Sequence, residues 1–136
     1  MGRKPAHAGP EYRLFVTPRF DDRRHAATTL FLLETTKHFA SFRYELSVDV
    51  AVADRTITFR VLGLKAPNLS LPAAGHARYA REFDGLRGTY EVTVEGLNGK
   101  SSSFSVSISD KKVHILKSPA RTFVDLIVDP NRRPAD

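Results

Sequence analysis

Histidine is the side chain that titrates nearest neutrality, and this chain carries five: His7, His25, His38, His76 and His114. None stands in a HEXXH arrangement. The chain has no cysteine, which removes thiolate nucleophiles, disulfides and Cys-based zinc sites together. Carboxylates and a histidine crowd together in one place, Asp21-Asp22-Arg23-Arg24-His25. Two adjacent arginines oppose a metal ion there, so the segment reads as a solvated loop. His38 and His114 stand singly among apolar neighbours and read as packed or surface histidines. The carboxylate pairs Glu45/Asp49 and Glu91/Glu95 fall on the wet face of strands, where no shielded pocket would raise a pKa for acid catalysis. There is no GxSxG, P-loop or GxGxxG. The sequence therefore offers no catalytic residue, no metal ligand and no cofactor site, and the expectation is a protein that is not an enzyme.

Two stretches could bind rather than react. In His76–Arg87, Arg78, Arg81 and Arg87 interleave with Tyr79 and Phe83, the composition of a stacking platform with phosphate-binding arginines. The plainer reading is an inter-strand crossover whose aromatics cap the core while the arginines snorkel outward. In Ser101–Ser109, Ser103, Ser105, Ser107 and Ser109 form an outward row opposite Thr89, Glu91, Thr93 and Glu95. Small hydroxyls make a flat, uncharged strip able to accept a partner strand, another sheet or a carbohydrate. It is also what an ordinary wet face looks like.

The net charge is +6 and the pI near 9.9, which invites a nucleic-acid reading. Residues 28–128, however, hold 13 Lys/Arg against 10 Asp/Glu, and half of the excess lies in the flanks. The longest apolar run, Leu30–Leu33, is too short to span a bilayer. Met-Gly-Arg-Lys-Pro leads into no apolar stretch of signal-peptide length, and Ala6 occupies the position where a myristoylation signal wants Ser or Thr. A cytoplasmic location is the default expectation; a secreted protein whose leader had been removed would read the same.

The elements that must position these residues are strands. Tyr12–Thr17 alternates with a two-residue period before Pro18, which is expected to end it. Thr28–Phe39 carries both strand and helix signals, and a strand over 28–36 is the better reading. Tyr44, Leu46, Val48, Val50 and Val52 point one way, and Ile57, Phe59 and Val61 repeat the pattern after a turn at Asp54-Arg55. Tyr90, Val92 and Val94 form another inward row, and Asn98-Gly99 turns the chain into a strand with Phe104, Val106 and Ile108 inward. Shorter strands at Val113–Lys117 and Thr122–Val128 follow. At most one short helical turn is expected, near residues 76–83. The sum is one all-β domain over residues 12–129, between flexible tails at 1–11 and 130–136. Its expected form is an antiparallel two-sheet sandwich of about seven or eight strands.

The run Asp84-Gly-Leu-Arg-Gly88-Thr-Tyr90-Glu-Val-Thr-Val94 resembles the strand-F entry of immunoglobulin-like sandwiches. There an Asp and a small residue precede a corner tyrosine whose hydroxyl ties back to the backbone. The resemblance implies a fold and no particular family; the disulfide pair and the Trp of that fold have no counterpart in this chain. The functional expectation is a non-catalytic interaction or accessory module for another protein, acting through its loops or the Ser/Thr face. The alternative is a binder of nucleic acid or another polyanion through the arginine-rich loops and tails.

Overall fold

The two-residue alternation is realised as strand along nearly the whole chain. A computed structural model, describing residues 10–39, 44–66, 75–119 and 123–128, contains nine strands and no helix among those residues. They are β1 (Tyr12–Asp21), β2 (Ala26–Phe39), β3 (Glu45–Ala53), β4 (Thr56–Lys65), β5 (Gly75–Asp84), β6 (Gly88–Glu95), β7 (Ser101–Ile108), β8 (Val113–Lys117) and β9 (Val124–Ile127). Residues 76–83, expected as a crossover with a possible helical turn, are instead part of the ten-residue strand β5. The ambiguous segment at 28–39 is strand throughout. Pro18 does not end β1; it pairs with Thr29 and the strand runs on to Asp21. Among the described residues β9 lines β1 only from Tyr12 to Phe15, and none of them offers a ladder partner on that side that requires an N–H at Pro18. Of the expected tails, Pro10 and Glu11 are tied in, through Thr36 Oγ1 donating to the Pro10 carbonyl and Glu11 N donating to the Phe123 carbonyl. Residues 1–9 and 130–136 lie outside the described residues.

The expected two-sheet sandwich is not what forms. All nine strands belong to one sheet in the order β8-β7-β6-β4-β3-β5-β2-β1-β9, curled into a half-barrel. Hairpins supply the antiparallel pairs β1–β2, β3–β4, β6–β7 and β7–β8. The antiparallel pair β2–β5 and three parallel joints, β4–β6, β3–β5 and β1–β9, then stitch these units edge to edge. Curling buries the concave face against itself, which does the work of a second sheet. Glu11 at the head of β1 bonds Lys100 in the β6–β7 turn at 2.9 Å, so the two ends of the strand order approach each other. The Phe123 ring lies 3.0 Å from where a Cβ at Gly96 would be.

The core is the set of inward rows. Leu14, Val16, Ile57, Phe59, Val92, Val94 and Val106 are wholly inaccessible, and the Phe31 and Phe59 rings meet at 5.4 Å. Phe15 and Ile127 are register partners buried outside this cluster, on the opposite side of the sheet. At the start of β6 the Tyr90 hydroxyl accepts from Arg87 N at 3.2 Å. The Arg55 guanidinium covers the Tyr90 ring at 4.9 Å and donates to the Arg87 carbonyl. The Tyr90 side chain is thus tied to the backbone three residues before it, within the single curled sheet.

Candidate functional site

The serines lie where their alternation places them. Ser103, Ser105 and Ser107 face outward on β7, in register with Thr93, Glu91 and Thr89 of β6. Ser103 Oγ and Thr93 Oγ1 are 2.9 Å apart. Ser109 does not extend the row: it folds into the β7–β8 turn, where its N and Oγ both bond the Lys112 carbonyl. Ser101, opposite Glu95, takes the end place instead.

The face is twice as wide as the hairpin. Because β4 pairs parallel to β6, Thr56, Thr58 and Arg60 fall beside Glu91, Thr93 and Glu95. Ala53, Ala51 and Asp49 of β3 fall beside those in turn. Cross-strand rows such as Ser103–Thr93–Thr58–Ala51 therefore cross four strands. The charges within the field are partly spent on each other, Arg60 bonding Glu95 at 3.0 Å. The alternation of Thr56-Ile-Thr58 signalled that these threonines face outward. Nothing in the sequence signalled which strand they would lie beside.

The three arginines do not converge. Arg78 and Arg81 are three positions apart on one strand, so they leave opposite faces. Arg78 bonds Glu34 at 2.9 Å. Arg81 lies over the Phe83 ring at 5.1 Å. Arg87 bonds Asp110 at 2.8 Å.

Arg78 instead belongs to a row of alternating charge that the sequence reading did not find. In register across six strands lie Asp125 (β9), Arg13 (β1), Glu34 (β2), Arg78 (β5), Glu45 (β3) and Lys65 (β4). Its centre is Glu34, whose side chain is 1% exposed and accepts from Arg13 Nε at 2.8 Å and Arg78 Nε at 2.9 Å. Lys65 bonds Glu45 at 3.4 Å. Beside this row His76 pairs with His38, ring centroids 5.2 Å apart, with His76 Nδ1 3.2 Å from the Lys37 carbonyl.

A cleft lies at each end of the half-barrel. At one end lies an open cleft of about 720 Å³ lined by Phe20, His25, Asp84, Arg87, Asp110 and Lys111 among others. Asp21, from the segment that crowds carboxylates with His25, is bonded within that segment: its Oδ1 accepts from the Arg23 and Arg24 backbone, and its Oδ2 from Arg24 Nε at 2.8 Å. Arg24 reaches on to Asp84 at 2.8 Å. The Arg24 hydrogen bonds hold both carboxyls below their ordinary range. Among the described residues no group of three or more side chains is placed to hold a metal ion. At the other end a cleft of about 310 Å³ is walled by Tyr12, Phe39, Leu46, Val61 and Leu64 among others.

No helix among the described residues is long and apolar enough to cross a membrane. What the geometry defines is an all-β domain, one curled mixed sheet with a broad hydroxyl face. Comparison with protein-family models, with curated proteins and with solved structures finds no match to this chain.

Proposed function

We propose that this chain is a non-catalytic interaction module that receives a protein partner on the outer face of β7, β6, β4 and β3. The observation that carries the reading is the four-strand field of short side chains: Ser103 and Ala51 are exposed, and Ser105, Thr93, Thr58 and Thr56 are half-exposed. Serine, threonine and alanine surrender little rotamer freedom when covered, so such a face is less costly to bury than one of lysines and glutamates. Its hydroxyls donate or accept as a partner requires. The commitment of Arg78 and Arg87 to carboxylates counts against the polyanion alternative, since a phosphate would have to displace Glu34 or Asp110.

The test is affinity capture from an extract of the source cells, comparing the natural chain with Ser103→Arg and Thr58→Arg. Both positions are solvent-accessible, so the fold should survive. Arg87→Ser, away from the face, serves as the control. A protein held by the natural chain and by the control, and lost with both face variants, supports the reading. Capture indifferent to the face variants overturns it. Retention of oligonucleotide at near-physiological salt would favour the polyanion alternative instead.

A further inference from the structure

The cleft at the Tyr12 end has features that the hydroxyl face does not explain. Its walls come from five places in the chain: the head of β1, the tail of β2, the head of β3, the tail of β4 and the β6–β7 turn. The β4 wall is shaped by a bulge. Ser47 pairs with Gly63 and Val48 with Val61, leaving Leu62 as the extra residue. After the bulge Leu64 pairs with the core residue Leu46 and so shares its concave side, yet remains 46% exposed. Leu97, also in the wall, is 64% exposed. Accessible leucines lining a concavity are what an apolar ligand body requires.

The polar groups are equally specific. Tyr12 lines the cleft and is 8% exposed as a residue, and no described residue hydrogen-bonds its hydroxyl, on which only burial and the Glu11 charge act. Because Tyr12 lines the cleft, a hydroxyl without a protein acceptor is free to donate to a ligand held there. Burial, with the Glu11 charge second, pushes the phenol above its ordinary value and keeps it a donor. The hydroxyls of Thr35 and Thr36 are already spent on the Lys37, Pro10 and Glu11 carbonyls. Of the two charges in the lining, Glu11 is neutralised by Lys100. Lys37 has no carboxylate partner among the described residues, its Nζ lying 5.1 Å from the Phe39 ring centroid. The charge left unbalanced is positive.

We propose that this cleft binds a small amphipathic anion, its apolar body against Leu46, Val61, Leu64 and Leu97 and its carboxylate between Lys37 and the Tyr12 hydroxyl. At about 310 Å³ the site is at the lower limit of small-molecule pockets, which selects a short acyl chain or a single-ring acid.

Octanoate and octylammonium, matched in length and opposite in charge, are the probes, titrated into the whole chain and followed by methyl NMR. Octanoate should bind saturably, shift the Leu64 and Leu97 methyls, and bind at least tenfold more tightly than octylammonium. Lys37→Glu should lower octanoate affinity tenfold or more. Tyr12→Phe should weaken it while leaving the free protein as stable as before or more so, because no bond of the hydroxyl is lost. Absence of saturable octanoate binding, equal binding of the two probes, or shifts confined to other methyls would overturn the proposal. So would a Tyr12→Phe protein markedly less stable without ligand, since the hydroxyl would then already be bonded.

Discussion

Glu34 and Arg24 each hold two opposite charges, but in different surroundings. Glu34 is almost wholly buried between Arg13 and Arg78, each guanidinium side chain only about a quarter exposed (27% and 22%). Removing the carboxylate leaves two cations facing each other in a poorly solvated place. Glu34→Ala should therefore destabilise the fold by about 3–5 kcal/mol in urea unfolding. Replacing Arg13, Glu34 and Arg78 together by apolar residues of similar volume should restore most of that loss. Arg24 is exposed, so its pairs with Asp21 and Asp84 are worth little in stability, but they are visible in titration. Both carboxyls titrate lower in the folded chain than in the unfolded one. Their contribution is thus fully present above the ordinary Asp value of about 3.9 and is lost as pH falls through the lower folded values. In Arg24→Ala both carboxyls should shift upward, Asp84 toward the ordinary range and Asp21 only part of the way because it keeps the backbone N–H bonds of residues 23 and 24, read by NMR titration of the side-chain carbons. The Arg24–Asp21 pair lies within one short charged run, but Glu34 and Arg78, or Arg24 and Asp84, are far apart in sequence until the strands are laid side by side, so those partnerships were not legible.

Single positions within a strand re-aim whole walls of this molecule. Gly63, at φ 150° beside the β4 bulge, holds a conformation that side-chain-bearing residues rarely adopt. An added Cβ would meet nothing within 4 Å, so any penalty at this site is conformational rather than steric crowding. Gly63→Ala should cost about 1–3 kcal/mol in thermal unfolding and shift the Leu64 methyls as the bulge rearranges. Strand β5 shows why sequence reading is weakest at this scale. Tyr79 and Phe83 satisfy a helical spacing as well as a two-residue period, and Arg81 sits in phase with them on the concave side. What decides for strand is pairing with β2 from Thr28 to Phe39, a partner whose placement local periodicity does not encode. Pro18 likewise reads as a stop until it is seen paired with Thr29, with no partner on its other side among the described residues.

Over the whole molecule one sheet encloses one core, and its contacts are predominantly between residues distant in sequence. Unfolding should accordingly be a single transition, with near-ultraviolet dichroism of the tyrosines and far-ultraviolet dichroism of the strands coinciding through a melt. Val92, wholly buried in a central inward row, is the sharpest probe of that core. Val92→Asp should abolish the cooperative transition, because the fold would have to bury an unpaired charge. The sequence by itself determined the all-β class, the inward and outward rows of β3, β4, β6 and β7, and the hairpins at Asp54-Arg55 and Asn98-Gly99. Those features are local: a period of two assigns faces, and turn residues that tolerate positive φ fix the register of adjacent strands. Only the tertiary structure decided that the strands form one curled sheet. It also decided that β4 lies parallel beside β6, widening the hydroxyl face, and that six alternating charges line up through Glu34. Pairing between non-adjacent strands is a choice among edges with similar hydrogen-bonding groups, and it is resolved only when the whole concave face closes over its side chains.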